Sequence, residues 1–157
     1  MGSEMCIRDS SEVGSDKYVY KLAWLDAFKS YLEKELRSYP RLIVVGDYNI
    51  APSDADVHDP ELWKGQVLCS DAEREKFNSL LDLGLKDSFR LFKQPEKIYS
   101  WWDYRQAAFR RNRGLRIDHL LLSGAVCEEC LASGVDTDPR KKEQPSDHAP
   151  AWAEFKD

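Results

Sequence analysis

Arg41-Leu-Ile-Val-Val-Gly-Asp47-Tyr-Asn49-Ile-Ala-Pro52 joins an apolar run to a turn that carries two polar side chains. Leu42 to Val45 is an aliphatic, largely β-branched run of the kind found in buried strands. It ends in Gly46, where the backbone can turn tightly or approach a ligand, and Pro52 stops the strand. Strand alternation puts residues i and i+2 on one side, so Asp47 and Asn49 leave the strand end together. A carboxylate that only accepts, beside an amide that donates and accepts, suits holding and deprotonating a water. An Asx-type turn after a core strand accounts for the same residues.

Upstream, Lys17 to Leu36 reads as a helix. Leu22, Leu25, Phe28, Leu32 and Leu36 recur at three and four to form one apolar stripe, Glu33 and Arg37 pair on the outer face, and Pro40 closes the segment. Downstream, Ser53 to Cys69 is polar and reads as a long solvated surface loop. Its Asp54, Asp56 and Asp59 lack the calcium-loop spacing and closing glutamate. Ser70-Asp-Ala-Glu73 is a capping box that starts a helix with Phe77, Leu80 and Leu81, ending at Gly84. Tyr99-Ser-Trp-Trp-Asp-Tyr104, Leu115 to Leu122, Gly124 to Asp136 and Ala151 to Phe155 each carry strand signals. Helices mixed with two-sided strands predict α/β layers.

The 157 residues fit one domain with a real core, and 42% hydrophobic with 32% charged residues is ordinary globular composition. A net charge of −5 argues against indiscriminate coating of nucleic acid, yet permits a local basic face. No apolar run approaches the roughly 18–20 residues of a membrane span, and no signal-peptide pattern occurs. A cytoplasmic location and no membrane partner are expected. Cys127-Glu-Glu-Cys130 has the C-x-x-C spacing, but no second pair completes a zinc set. One thiol is expected inward and the other outward. Residues 1–10 show no periodicity and read as a non-native or assembly-derived start, leaving 11–157 as the domain.

Between Arg105 and Arg116 lie five arginines and no acid, flanked by Trp101, Trp102 and Tyr104. Arginine suits phosphate and aromatic faces suit bases or sugars; a mobile solvated loop is the plainer account. Asp118 sits inside an apolar strand, where a carboxylate needs a partner, while its neighbour His119 points to the opposite face. Pro145-Ser-Asp147-His148-Ala-Pro150 offers that partner. A buried aspartate that fixes a histidine's tautomer prepares it for acid-base or electrostatic work, and Asp147, facing the other way, could hold a hard cation.

Gly46-Asp-Tyr-Asn49, Trp101-Trp-Asp-Tyr104, Leu115-Arg-Ile-Asp118 and Ser146-Asp-His148, in this order, resemble the exodeoxyribonuclease III branch of the endonuclease/exonuclease/phosphatase superfamily, which includes bacterial apurinic/apyrimidinic endonucleases. Pro52, Asp82 to Arg90, Ser100 to Arg105 and Asn112 to Asp118 narrow it to the DNA-repair branch. The resemblance implies a DNase I-like four-layer α/β-sandwich and a Mg²⁺-dependent (Mn²⁺ as substitute) phosphodiesterase of base-excision repair. Its partner would be double-stranded DNA with abasic sites or 3′ ends. By position, Asp47 would activate the attacking water, Asn49 would position Asp47 and the phosphate, and Asp118 would orient His148 for charge stabilisation. Asp147 would reach the metal. Trp101, Leu115 and Ile117 would line the pocket for a flipped-out sugar, with Arg105 and Arg116 among the arginines gripping the backbone.

The resemblance covers Ser11 to Asp157, about the C-terminal three-fifths of the family fold. The family's N-terminal asparagine, metal-binding glutamate and phosphate-contacting tyrosine have no counterpart between Ser11 and Pro40. An incomplete sandwich lacking its opening strands, with impaired Mg²⁺ binding, is therefore expected; the complete protein is expected to be a monomer. Two alternatives remain open: a phosphodiesterase or phosphatase acting on lipid or sugar phosphates, and a non-catalytic DNA-binding remnant.

Overall fold

The computed structural model describes residues 12–157; the reading of residues 1–10 lies outside this range. Helix α1 spans Asp16–Ser38, with the Ser15 side chain accepting the Tyr18 N–H at its start. Its buried face carries Tyr18, Lys21, Leu25 and Leu32, with Trp24, Phe28 and Leu36 packed alongside. Leu22, expected in the stripe, is only half-buried. A lysine therefore occupies one of the stripe's most buried positions.

Strand β1 (Ile43–Asp47) follows, then a 3-10 turn (Asp54–Asp56), α2 (Pro60–Trp63), α3 (Asp71–Leu81) and β2 (Leu85–Asp87). The capping box of α3 forms as read, Ser70 and Glu73 each accepting from the other's backbone N–H. Gly84, at φ +99°, takes the left-handed conformation that ends this segment. Beyond it come β3 (Trp101–Trp102), β4 (Gly114–Leu115), β5 (Asp118–Ser123), α4 (Gly124–Cys127), β6 (Cys130–Val135) and β7 (Ala151–Phe155).

Strands β1, β5 and β2 make an antiparallel sheet with β5 central, and β3–β4 and β6–β7 are two-stranded antiparallel ribbons. The register pairs Val44 with Leu121, Val45 with Leu120 and Asp47 with Asp118. Alternation then sorts the sheet. Val44 and Leu121 face α1 and α3, joining Leu25, Leu32, Phe77 and Leu80 in the main core. Asp47 and Asp118, with Val45 and Leu120, lie on the opposite face.

Two expectations need correction. β1 is not buried on both sides: Ile43 is 42% and Val45 62% exposed, because the helices cover only the Val44 face. Nor is Ser53–Cys69 a solvated loop. Asp56 is buried, and its carboxylate accepts from Arg116 Nε at 2.7 Å and Arg90 Nη2 at 2.5 Å. Val57, Leu68 and Cys69 pack against Leu115 and Ile117 in a second core. The acidic residue anchors the segment instead of solvating it. Among the described residues, no helix is long and apolar enough to cross a membrane.

Candidate active site

At the end of β1 the turn and the site are one object. The Asn49 backbone N–H donates to Asp47 Oδ1 at 2.9 Å, an Asx turn. Asn49 adopts φ +51°, the left-handed region that asparagine tolerates better than most side chains. The strand ends at Asp47, so strand alternation does not reach Asn49; the side-chain-to-backbone bond holds the two together. Two carbonyls just past the turn are braced from the core. Asn49 O accepts from Lys21 Nζ at 2.5 Å, and Ile50 O lies 2.8 Å from His119 Nε2.

His119 is fully enclosed, and burial together with the Arg116 charge pushes its pKa down to about 4. It is neutral, with Nε2 donating to Ile50 O and Nδ1 accepting from Arg116 at 3.1 Å. Lys21 also meets Glu73 Oε1 at 2.5 Å. Burial lowers its pKa, against the opposing pull of Glu73 and Asp47.

From the central strand, Asp118 Oδ2 lies 2.9 Å from His148 Nδ1. Ser100 Oγ accepts the backbone N–H groups of Ile117 and Asp118 at 2.9 and 3.1 Å, and Ser100 O accepts that of Ala149 at 2.7 Å. One buried serine thus ties both partners' backbones together. The loop carrying His148 is held at three consecutive carbonyls: Pro145 O by Tyr104 Oη, Ser146 O by Arg140 Nη1 and Asp147 O by the Trp102 N–H. Arg140 reaches its carbonyl from among the rings of Trp102, Tyr104 and Phe109, 4.7–5.7 Å from their centroids. Gly114 sits opposite Trp102 in the β3–β4 pair, where a Cβ would overlap the indole.

His148 Nε2 lies 3.7 Å from Asp47 Oδ2, so the two ends of the site meet in one cleft of about 550 Å³. Burial works to lower the His148 pKa, but the Asp118 hydrogen bond and the charges of Asp118, Asp47 and Asp147 outweigh it, and the net shift is upward. Donor atoms of Asp47, Asp118 and His148 all lie within 4.8 Å of one another. Clustered carboxylate oxygens are the donors a hard divalent cation takes. Asp147 stands outside this trio, its Oδ2 accepting from Trp101 Nε1 at 3.0 Å.

The DNA-contact expectations divide. Trp101 is half-buried beside Asp147, and Arg105 is exposed and paired with Asp103. Arg116 is not available to a ligand: its guanidinium is 1% exposed, bound to Asp56 and Asp87, and stacked over Phe89. Leu115 and Ile117 are completely buried in the second core and present no pocket wall. Val57, Leu68 and Cys69 of the preceding segment pack over both side chains and take them out of the cleft. Arg110, Arg111 and Arg113 remain exposed, and Arg105 and Arg113 line a cleft of about 360 Å³ that begins at Trp101.

The roles of Lys21, Glu73, Ser100 and Arg140 in bracing the site are not given by the motifs, which mark Glu73 only as half of a capping box and Ser100 only as the start of the Ser100–Arg105 match. The one legible signal of such a role is Lys21, a charge at an apolar-stripe position. Cys127 and Cys130 are free and both half-buried rather than one inward and one outward, each thiol within 3.6 Å of a backbone carbonyl.

The model of the endonuclease/exonuclease/phosphatase family matches residues 5–148. Exodeoxyribonuclease III of Haemophilus influenzae is 41% identical over 153 residues, 93% of this chain and 57% of that protein. Among solved structures, a 3′ phosphatase (NExo) from Neisseria bound to a product DNA hairpin is 43% identical, with a TM-score of 0.92 over 96% of this chain and 58% of that one. An AP endonuclease from Archaeoglobus fulgidus is 34% identical, with a TM-score of 0.87 over 93% and 57%. The chain thus spans a little over half the length of these relatives and shares their DNase I-like α/β fold over that span. It belongs to the endonuclease/exonuclease/phosphatase family.

Proposed function

We propose that the cleft is the hydrolytic centre of a DNA phosphodiesterase, acting on double-stranded DNA at abasic sites or 3′ ends. The observation that carries this is the meeting of Asp47, on its Asx turn, with the Asp118–His148 pair. Asp47 orients and deprotonates the attacking water. Asn49 holds Asp47 through its backbone N–H and directs its own side chain to the phosphate. Asp118 keeps the proton on His148 Nδ1 and supports a positive charge on the ring, so that Nε2 can stabilise charge developing on the phosphoryl oxygens.

Mg²⁺, or Mn²⁺ in its place, would be held by the carboxylates around the cleft, with Asp147 as a ligand. When bound it would neutralise charge on the phosphate oxygens. The fit rests on the oxygen-rich donor set. Beyond the chemistry, Trp101 supplies a stacking face, and Arg105, Arg111 and Arg113 supply phosphate contacts.

The test is cleavage of a duplex bearing one abasic analogue, run beside inositol phosphates, with Mg²⁺ titrated and then removed by chelation. The reading predicts metal-dependent cleavage of the duplex only. Release of phosphate from the inositol substrates with the duplex intact would overturn it.

A further inference from the structure

We propose that Lys21 is a positioning residue for hydrolysis, holding the turn that presents Asp47 and Asn49; the inference rests on the hydrolytic reading of the cleft. The Lys21 ammonium, buried between α1 and α3, donates to Asn49 O and to Glu73 Oε1, each at 2.5 Å. Glu73 is itself completely buried and fixed from several directions. Its Oε1 accepts the Leu68 N–H at 3.2 Å, and its Oε2 accepts from Ser70 N and Oγ at 3.1 and 2.7 Å. The strut therefore runs from a capped helix, through a locked carboxylate and an ammonium, to the back of Asn49.

Asn49 needs such a brace because its left-handed backbone is a conformation that a chain leaves readily unless its surroundings determine it. The carbonyl that Lys21 grips belongs to the same residue whose N–H bonds Asp47 and whose side chain belongs to the site. Rotating that residue would loosen the Asp47 contact and swing the carboxamide together. A need for stability alone does not explain the arrangement, since buried ion pairs are commonly replaced by apolar side chains of similar volume without loss. What an apolar pair cannot supply is a donor aimed at Asn49 O.

The experiment compares the wild-type chain with Glu73→Gln and with the Lys21→Met, Glu73→Gln double variant. Glutamine at 73 avoids a stranded carboxylate, but its one carbonyl accepts either from the Ser70 N–H, as in the capping box, or from Lys21, and not from both. Two readouts are taken: cleavage kinetics on the abasic duplex, and amide hydrogen exchange at Asn49 against that of α3. Glu73→Gln leaves the Lys21 side chain and its donor to Asn49 O in place, so it is the reference for losing the carboxylate alone, and the proposal is read from the step between it and the double variant. The double variant should lose kcat on the order of tenfold to a hundredfold with little change in KM, since small misplacements at a reacting centre act on that scale. Its Asn49 amide should lose protection while α3 keeps its own.

Should the double variant be too unstable, Lys21→Gln with Glu73→Gln serves instead, its side chain polar but too short to reach Asn49 O. A folded variant of either kind with wild-type kcat and wild-type Asn49 exchange overturns the proposal. If no version cleaves DNA but Asn49 protection is lost selectively, the hydrolytic reading fails and the positioning role stands.

Discussion

His148 Nδ1 lies 2.9 Å from Asp118 Oδ2, although thirty residues separate them in the chain. The bond fixes which ring nitrogen carries the proton and turns the other, Nε2, toward Asp47 at 3.7 Å. A histidine between carboxylates of this kind is held charged more readily than one in water.

The first prediction follows from that balance. The His148 pKa, followed by NMR, should lie above its ordinary 6.5 and fall when Asp118 is replaced by asparagine. Because the folded value is the higher one, the contribution to stability is full below about pH 6.5 and is lost as pH rises through the folded pKa. A titration unaffected by Asp118→Asn would show that the pair does not govern the ring.

His119 behaves in the opposite sense. Its pKa is pushed down to about 4 by burial and by Arg116, so it stays neutral in the fold while an unfolded chain takes up the proton. Its contribution is present above about pH 6.5 and is lost as pH falls from there toward 4, by about 3 kcal/mol in all. Chemical denaturation across that window should show the decline, and His119→Gln should flatten it.

Arg116 and Arg113 separate structure from binding. Arg116→Met strands the Asp56 and Asp87 carboxylates, and removing one partner of a buried ion pair costs about 3–5 kcal/mol. The fold should weaken by that amount, with no change in the salt dependence of duplex binding in the protein that remains folded. Exposed Arg113 should do the reverse: Arg113→Ala should leave the unfolding midpoint within error and lower the slope of log affinity against log salt by about one.

The sequence is readable where the chemistry is local or periodic. Ser70 and Glu73 announce their helix because a capping box is satisfied within four residues. The alternation of Ala151 to Phe155 becomes β7 with inner and outer faces as read. Asp118 and His148 could be paired in advance because a carboxylate in an apolar strand must find a partner and the tail offers an imidazole. What was not legible depends on contacts between distant segments. Nothing around Arg116 distinguishes an arginine that grips phosphate from one neutralising Asp56 and Asp87, sixty and twenty-nine residues away. Leu115 and Ile117 could equally have lined a pocket. Their burial is decided by the Ser53–Cys69 segment folding over them, and Asp56 disguises that segment as solvated.

The most direct test of the account is single-turnover cleavage of the abasic duplex in Mg²⁺ by the chain and by Asp47→Asn, with duplex affinity measured alongside. Asp47→Asn should retain the fold and the affinity and lose roughly a hundredfold or more in rate, on the scale of removing a group that acts directly on the reacting atoms. Equal rates for the two proteins, or no metal-dependent cleavage by the chain, would contradict it.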